Sequence, residues 1–93
     1  MAKHTDVILK PNQWVELTDA DVTNITFLNK GKNSLVLKGM ESNNVPTDFD
    51  ASLVYEPNTG EVNISLSALF PGINAVRLFG FSNQFNIVMV SHA

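Results

Sequence analysis

The chain has 93 residues, enough for one domain with a modest core, and its formal net charge is −3. Six lysines and arginines stand against nine acids, and only Arg77 is an arginine, so the clustered cations that bind phosphate backbones are missing. Zero cysteines exclude disulfides, thiol catalysis and thiolate metal sites, and no apolar run reaches the roughly 20 residues of a membrane helix. We therefore expect neither a nucleic-acid nor a membrane partner.

Apolar residues recur with a period of two along most of the chain, and turn-forming residues interrupt them about every ten positions. This pattern predicts an all-β fold without substantial helix. We expect a single domain over residues 1–93, built as a small antiparallel β-sandwich or jelly-roll-like barrel of about eight short strands. The predicted strands lie at 7–9, 14–17, 22–29, 35–37, 52–56, 62–67, 75–81 and 85–91.

The two chain ends and the last strand carry separate expectations. Residues 1–5 and 91–93 are predicted to be loosely ordered tails, since termini usually are unless other contacts hold them. The strand at 85–91 is apolar on both faces, with Phe85 and Ile87 on one and Val88 on the other. A strand with two apolar faces is buried on both sides. In so small a chain, one of those sides is predicted to face another subunit.

Residues 39–51 form the longest stretch without periodicity, and long loops in compact domains are usually functional or flexible. A second irregular segment, Leu69-Phe70-Pro71-Gly72, is more apolar than a turn requires. We predict that these two segments form the partner-facing surface. The alternative is that Phe70 caps the end of the sandwich and the loop is merely mobile. The residues assigned to this interface are Val45, Pro46, Phe49, Leu69, Phe70, Pro71 and Trp14.

Trp14 allows two interpretations. With polar neighbours, it is typical of the aromatic platforms on which sugar-binding modules place their ligands. Alternatively, it packs over the end of the core, as most large aromatic side chains do.

The sequence offers no recognisable catalytic set. His4 and His92 lie within four residues of the ends, where a catalytic imidazole would lack fixed orientation. Two Asp-x-Asp pairs, Asp19/Asp21 and Asp48/Asp50, are interpreted as turn formers, with a calcium site as the alternative. We expect no enzyme activity, no metal and no cofactor.

Charge is unevenly distributed along the sequence. Residues 1–38 contain all five lysines and four acids, whereas residues 39–93 contain Arg77 and five acids. Two faces of opposite sign would help identical subunits to meet head to tail. The alternative is that a small polar surface is uneven by chance.

Most of residues 14–93 resemble small β-rich virion proteins of tailed bacteriophages, of the head-decoration or head–tail accessory type. The segments that carry the resemblance are Trp14-x-Glu16-Leu17-Thr18-x-x-Asp21-Val22-Thr23, Leu69-Phe70-Pro71-Gly72, Val76-Arg77-Leu78 and Val88-x-Val90-Ser91-His92-Ala93.

The resemblance implies a non-enzymatic structural protein that forms a symmetric oligomer, a homotrimer by expectation, and that decorates or stabilises the capsid. Its partners would be itself and other virion proteins such as the major capsid protein. It would be made in the bacterial host cytoplasm and reside in the virion. The alternative is a carbohydrate- or peptide-binding β-sandwich module of a phage tail or fibre.

Overall fold

The structure is a computed structural model that describes residues 2–93. Eight strands and one short helix follow each other along the chain. They are β1 (Lys3–Leu9), β2 (Val15–Glu16), β3 (Asn24–Asn29), β4 (Leu35–Met40), β5 (Leu53–Tyr55), β6 (Gly60–Ser65), α1 (Leu66–Leu69), β7 (Arg77–Phe81) and β8 (Asn86–His92).

The strands form two four-stranded antiparallel sheets, ordered β1-β8-β3-β6 and β2-β7-β4-β5. The first strand therefore pairs with the eighth, the second with the seventh, the third with the sixth and the fourth with the fifth. This is the connectivity of a long hairpin folded over into two layers, which is a jelly roll. The prediction of an all-β sandwich is confirmed.

The core lies between the two sheets and is built by alternation along the strands. In β4, Leu35 and Leu37 point inward and are fully buried, and in β8 the same holds for Val88 and Val90. At the edge of the core, the Phe27 and Tyr55 rings meet edge to face with centroids 4.9 Å apart. Burial and a hydrogen bond to Glu61 raise the pKa of Tyr55 to about 12, so its hydroxyl stays a donor at neutral pH.

The prediction of loosely ordered tails is wrong for residues 3–5 and 91–92, which lie in strands, and Met1 lies outside the described residues. All seven residues of β1 pair with β8, from Lys3 opposite His92 to Leu9 opposite Asn86. His92 is buried, and its Nε2 accepts a hydrogen bond from the backbone N–H of Asp19 at 3.4 Å. The two ends hold each other in place, a long-range pairing that local sequence does not reveal.

Because successive strands are antiparallel, alternate connections lie at the same end of the sandwich. We call one end the basic end: its connections are 10–14, 30–34, 56–59 and 82–85, with three lysines and one acid. The connections at the other end, the acidic end, are 17–23, 41–52 and 66–76, with five acids and no cation.

Three asparagines stabilise the basic end. The buried Asn29 side chain donates to the carbonyl oxygens of Asn33 (2.8 Å) and Tyr55 (3.0 Å) and accepts from the Gly31 N–H (3.1 Å). Asn86, also buried, donates to the same Asn33 carbonyl at 2.8 Å. Side-chain amides thus satisfy backbone groups that the sheets leave unpaired at this end.

We expect Asn29→Ala to destabilise the fold by about 1–3 kcal/mol, because it removes three hydrogen bonds made by a fully buried side chain. Thermal unfolding followed by circular dichroism measures the loss. Asn83→Ala, at an exposed position in the same end, is the matched control and should leave the melting temperature unchanged. Equal melting temperatures for the two variants would contradict the role of the Asn29 network.

Candidate partner-binding groove

An open groove of about 680 Å³ lies at the acidic end, between the 41–52 loop and the turn that follows α1. The last residues of β4 run along it. The structure thus brings together the two segments predicted to face a partner. The apolar part of its lining comes from Met40, Leu69, Phe70, Pro71 and Ile73.

The wall formed by residues 66–73 begins at Ser65, whose hydroxyl caps α1 by accepting the Ala68 N–H at 3.1 Å. The helix ends after one turn, where the Phe70 N–H donates to the Leu66 carbonyl at 2.9 Å. Gly72 then turns the chain with φ of 95°, a conformation that glycine adopts without strain. Ile73 is left 44% exposed at the rim.

Phe70 is the floor of the groove and belongs to the core, with only 5% of its surface exposed. Its ring lies against Gly39, where a Cβ atom would come within 2.6 Å of the ring carbon Cδ2. Because it is buried in its own chain, Phe70 is not the exposed partner anchor that the sequence predicted. It caps the end of the sandwich, as the alternative prediction for this residue stated.

Two hydrogen bonds fix the spacing between the walls. A Glu41 carboxylate oxygen accepts the Asn74 N–H at 2.9 Å, and the Met40 carbonyl accepts the Val76 N–H at 3.0 Å. Both bonds join the end of β4 to the chain leading into β7. The groove is therefore a preformed feature of the fold.

The opposite wall is held by Lys38, a half-buried side chain on the outer face of β4. Its ammonium group forms an ion pair with Asp48 and donates to the Asp50 carbonyl at 2.8 Å. The Asp50 N–H also donates to the Asp48 carboxylate at 3.0 Å. These hydrogen bonds, chiefly that of Lys38, hold the pKa of Asp48 below its ordinary value.

The same loop covers the outer face of the second sheet with an aromatic cluster. Phe49, half exposed, packs against Trp14 and Phe81 with ring centroids 5.2 Å and 4.8 Å away. Trp14 and Phe81 are themselves 5.3 Å apart. Phe79 lies on this face between the inward-pointing Leu78 and Gly80, and it is fully buried.

The assigned interface residues therefore divide into three groups by exposure. Val45, Phe49 and Pro71 remain exposed, and Leu69 and Trp14 are partly buried. Pro46 is buried with Phe70, because the loop packs on its own sheet instead of standing free. The loop is also shorter than expected: Gly39 and Met40 belong to β4, so the connection is 41–52.

Each Asp-x-Asp pair uses a carboxylate to bind a cationic side chain. Asp19 pairs with Lys3 at 2.7 Å, and Asp21 with Arg77 at 2.7 Å. Arg77 also contacts Glu16 at 2.8 Å, and its hydrogen bonds to Glu16 and Asp21 raise its pKa. Among residues 2–93, no three histidine or acidic side chains are placed to hold one metal ion.

Sequence reasoning missed Lys38, Met40, Glu41 and Ile73. One signal was available for Lys38: it is a lone cation at the strand end that leads into a loop carrying Asp48-x-Asp50. Ile73 follows a Pro-Gly turn, where an apolar side chain has no strand to bury it. Met40 and Glu41 gave no signal, because their role depends on where the distant 66–76 connection lies.

Comparisons with protein-family models, with curated proteins and with solved structures found no match. Within residues 2–93, no helix has the length and apolar character needed to cross a membrane.

We expect Gly39→Ala to cost about 1–3 kcal/mol, since the added methyl group overlaps the Phe70 ring and the packed floor must shift. Thermal unfolding measures the loss. Gly80→Ala is the control from the same sheet: its nearest neighbour is a terminal Leu35 methyl at 3.2 Å, which can move aside. A Gly39→Ala variant as stable as Gly80→Ala would refute the close approach.

The Lys38–Asp48 contact should also respond to acid. Because folding lowers the pKa of Asp48, the contact stabilises the loop fully above the ordinary value of 3.8. It is lost as the pH falls through the lowered pKa. Trp14 is the only tryptophan, and its ring contacts Phe49 of the loop, so its fluorescence responds when the loop moves. We therefore expect the Trp14 emission to change in this acid range before the sheets unfold.

Asp48→Asn is the control for this titration. It removes the titrating group, so the acid step in Trp14 emission should disappear while unfolding at lower pH remains. An unchanged step in the variant would assign the emission change to another group.

Proposed function

We propose that the chain is a non-enzymatic structural protein of a tailed-phage particle, where it decorates or stabilises the capsid as a symmetric oligomer. Its partners are other copies of itself, in a homotrimer, and virion proteins such as the major capsid protein. It is made in the host cytoplasm and resides in the virion. The resemblance over residues 14–93 supports this, and the jelly roll is an architecture used by capsid domains.

The observation that carries the proposal is the groove at the acidic end. Apolar side chains line it, and one of them, Ile73, stands 44% exposed at its rim. Exposed apolar surface beside a rigid depression is typical of protein–protein contact sites. Hydrogen bonds already fix the groove walls, so a partner binds without a large ordering cost.

A second candidate function is carbohydrate or peptide binding on a tail or fibre. One observation favours it: a depression of about 750 Å³ lined mostly by polar side chains, among them Asn24, Thr26, Asn63 and Ser91. Amide and hydroxyl groups of this kind hydrogen-bond sugars. A glycan array tests this candidate directly.

Two measurements test the structural role. Quantitative mass spectrometry of purified particles should find the chain in many copies per particle. Sedimentation of the isolated protein should find a species larger than the 10.2 kDa monomer, with the trimer as the expected size. A low copy number per particle together with specific glycan binding would replace the capsid role with the second candidate.

Ile73→Asp tests the groove itself. A charge at the rim should weaken particle association by about 2 kcal/mol or more, the cost typical of losing a central interface contact. Val62→Asp is the matched control, because Val62 is 84% exposed on the other sheet. Equal particle binding by both variants would place the partner contact elsewhere.

A further inference from the structure

We propose that the groove at the acidic end binds the basic end of a second copy of this chain, with Phe85 as the inserted side chain. The inference rests on the oligomer proposed above and names the surfaces that form it. The contact is head to tail, since the two surfaces lie at opposite ends of the same molecule.

The structure presents Phe85 as an exposed aromatic side chain. It is 54% exposed and directly precedes β8. Its carbonyl accepts a hydrogen bond from the Asn33 side chain at 3.0 Å. Asn33 belongs to the Asn29–Asn86 network that fixes this end of the fold. A large apolar group held by a rigid backbone is the kind of anchor that protein interfaces use.

Lysines flank Phe85 on both sides. Lys10 follows β1, and the β1–β8 register, which ends with Leu9 opposite Asn86, places it beside Phe85. On the other side lies the 30–34 connection with Lys32, held by the Lys30 and Gly31 N–H groups, which donate to the Ile87 carbonyl. Lys30 pairs with Asp6, but Lys10 and Lys32 form no ion pair within residues 2–93.

The groove offers the complementary chemistry. Its apolar lining suits an aromatic side chain, and about 680 Å³ accommodates a Phe ring together with the lysine stems beside it. Three carboxylates line it, of which Asp48 is paired with Lys38. Glu41 and Asp50 form no ion pair among the described residues. Two unpaired lysines thus match two unpaired carboxylates across the proposed contact.

Such a contact between opposite ends is heterologous, so repeating it generates either a closed ring or an open filament. A closed ring of three copies is the homotrimer of the proposed function. In it, the groove of each copy holds Phe85 of the next copy.

Charge exchange tests the proposal. We expect the double variant Lys10→Glu/Lys32→Glu to lose the oligomer, because acidic groups then meet an acidic groove. Asp50→Lys should lose it for the converse reason. Mixed in equal amounts, the two variants should associate into heterodimers and other species in which they alternate, since every contact between unlike variants joins opposite charges. A closed ring of three is not expected from the mixture, because an odd-numbered ring always keeps one contact between like variants. Sedimentation velocity measures the species, and circular dichroism verifies the fold of each variant.

The controls are Val62→Glu and Val62→Lys, which change the charge at an exposed site within β6, outside the groove and outside the connections of the basic end, and which should keep the parent oligomer. Phe85→Ser should shift the monomer–oligomer midpoint at least tenfold to higher concentration. Raising the salt from 0.05 M to 0.5 M should weaken the parent oligomer, because exposed charge pairs are screened.

Three outcomes would overturn the inference: a monomeric parent chain, charge variants that assemble like the parent, or a mixture that stays monomeric. Particle binding separates these from failure of the proposed function. If Lys10→Glu/Lys32→Glu keeps the parent oligomer while Ile73→Asp loses the particles, the groove binds a capsid component and only the head-to-tail contact is wrong. If the parent chain is absent from particles, the structural role itself fails.

Discussion

Pairing of the first strand with the last is the constraint on which the rest of the fold depends. β8 lies between β1 and β3, and its inward side chains are fully buried in the centre of the core. Most of the other strand pairs are also distant in sequence, with β4–β5 the closest hairpin. Contacts of such long range must overcome loop-closure entropy before they contribute, so we expect slow folding compared with helical domains of this size. Once formed, the same pairing fixes both ends of the sandwich.

The strands could be predicted from sequence because the alternation of apolar and polar residues is a local property. Which side chains of a strand point into the core could not always be predicted. In β6, the pairs Ile25–Ile64 and Phe27–Glu61 show one extra residue on the β6 side. Asn63 takes a positive φ of 49° there. One extra residue reverses the faces of everything beyond it, so Val62, expected to share a face with Ile64, points into solvent. Ser65 then caps α1, and Leu66 becomes helical instead of continuing the strand.

The groove was only half visible in the sequence. Its two segments were found because each departs from the strand pattern, and that departure is local. The roles of the individual residues could not be found in this way, because the burial of a side chain depends on which distant segment packs against it. Phe70 is buried since Gly39 lacks a side chain, and Pro46 is buried since the loop folds back over the second sheet. The chain ends were misjudged for the same reason.

The edge strands, which are the outermost strands of each sheet, are short, irregular or charged, and this affects how the molecules behave at high concentration. The second sheet ends in β2 and β5, of only two and three residues, and the first ends in β6, which is interrupted by its extra residue. β1 is the one long outer strand among those described, and Lys3, His4 and Asp6 stand along it. Short, irregular or charged outer strands are poor templates for pairing with the backbone of another chain. Molecules packed side by side at high density would thus resist fusing into continuous sheets and aggregating.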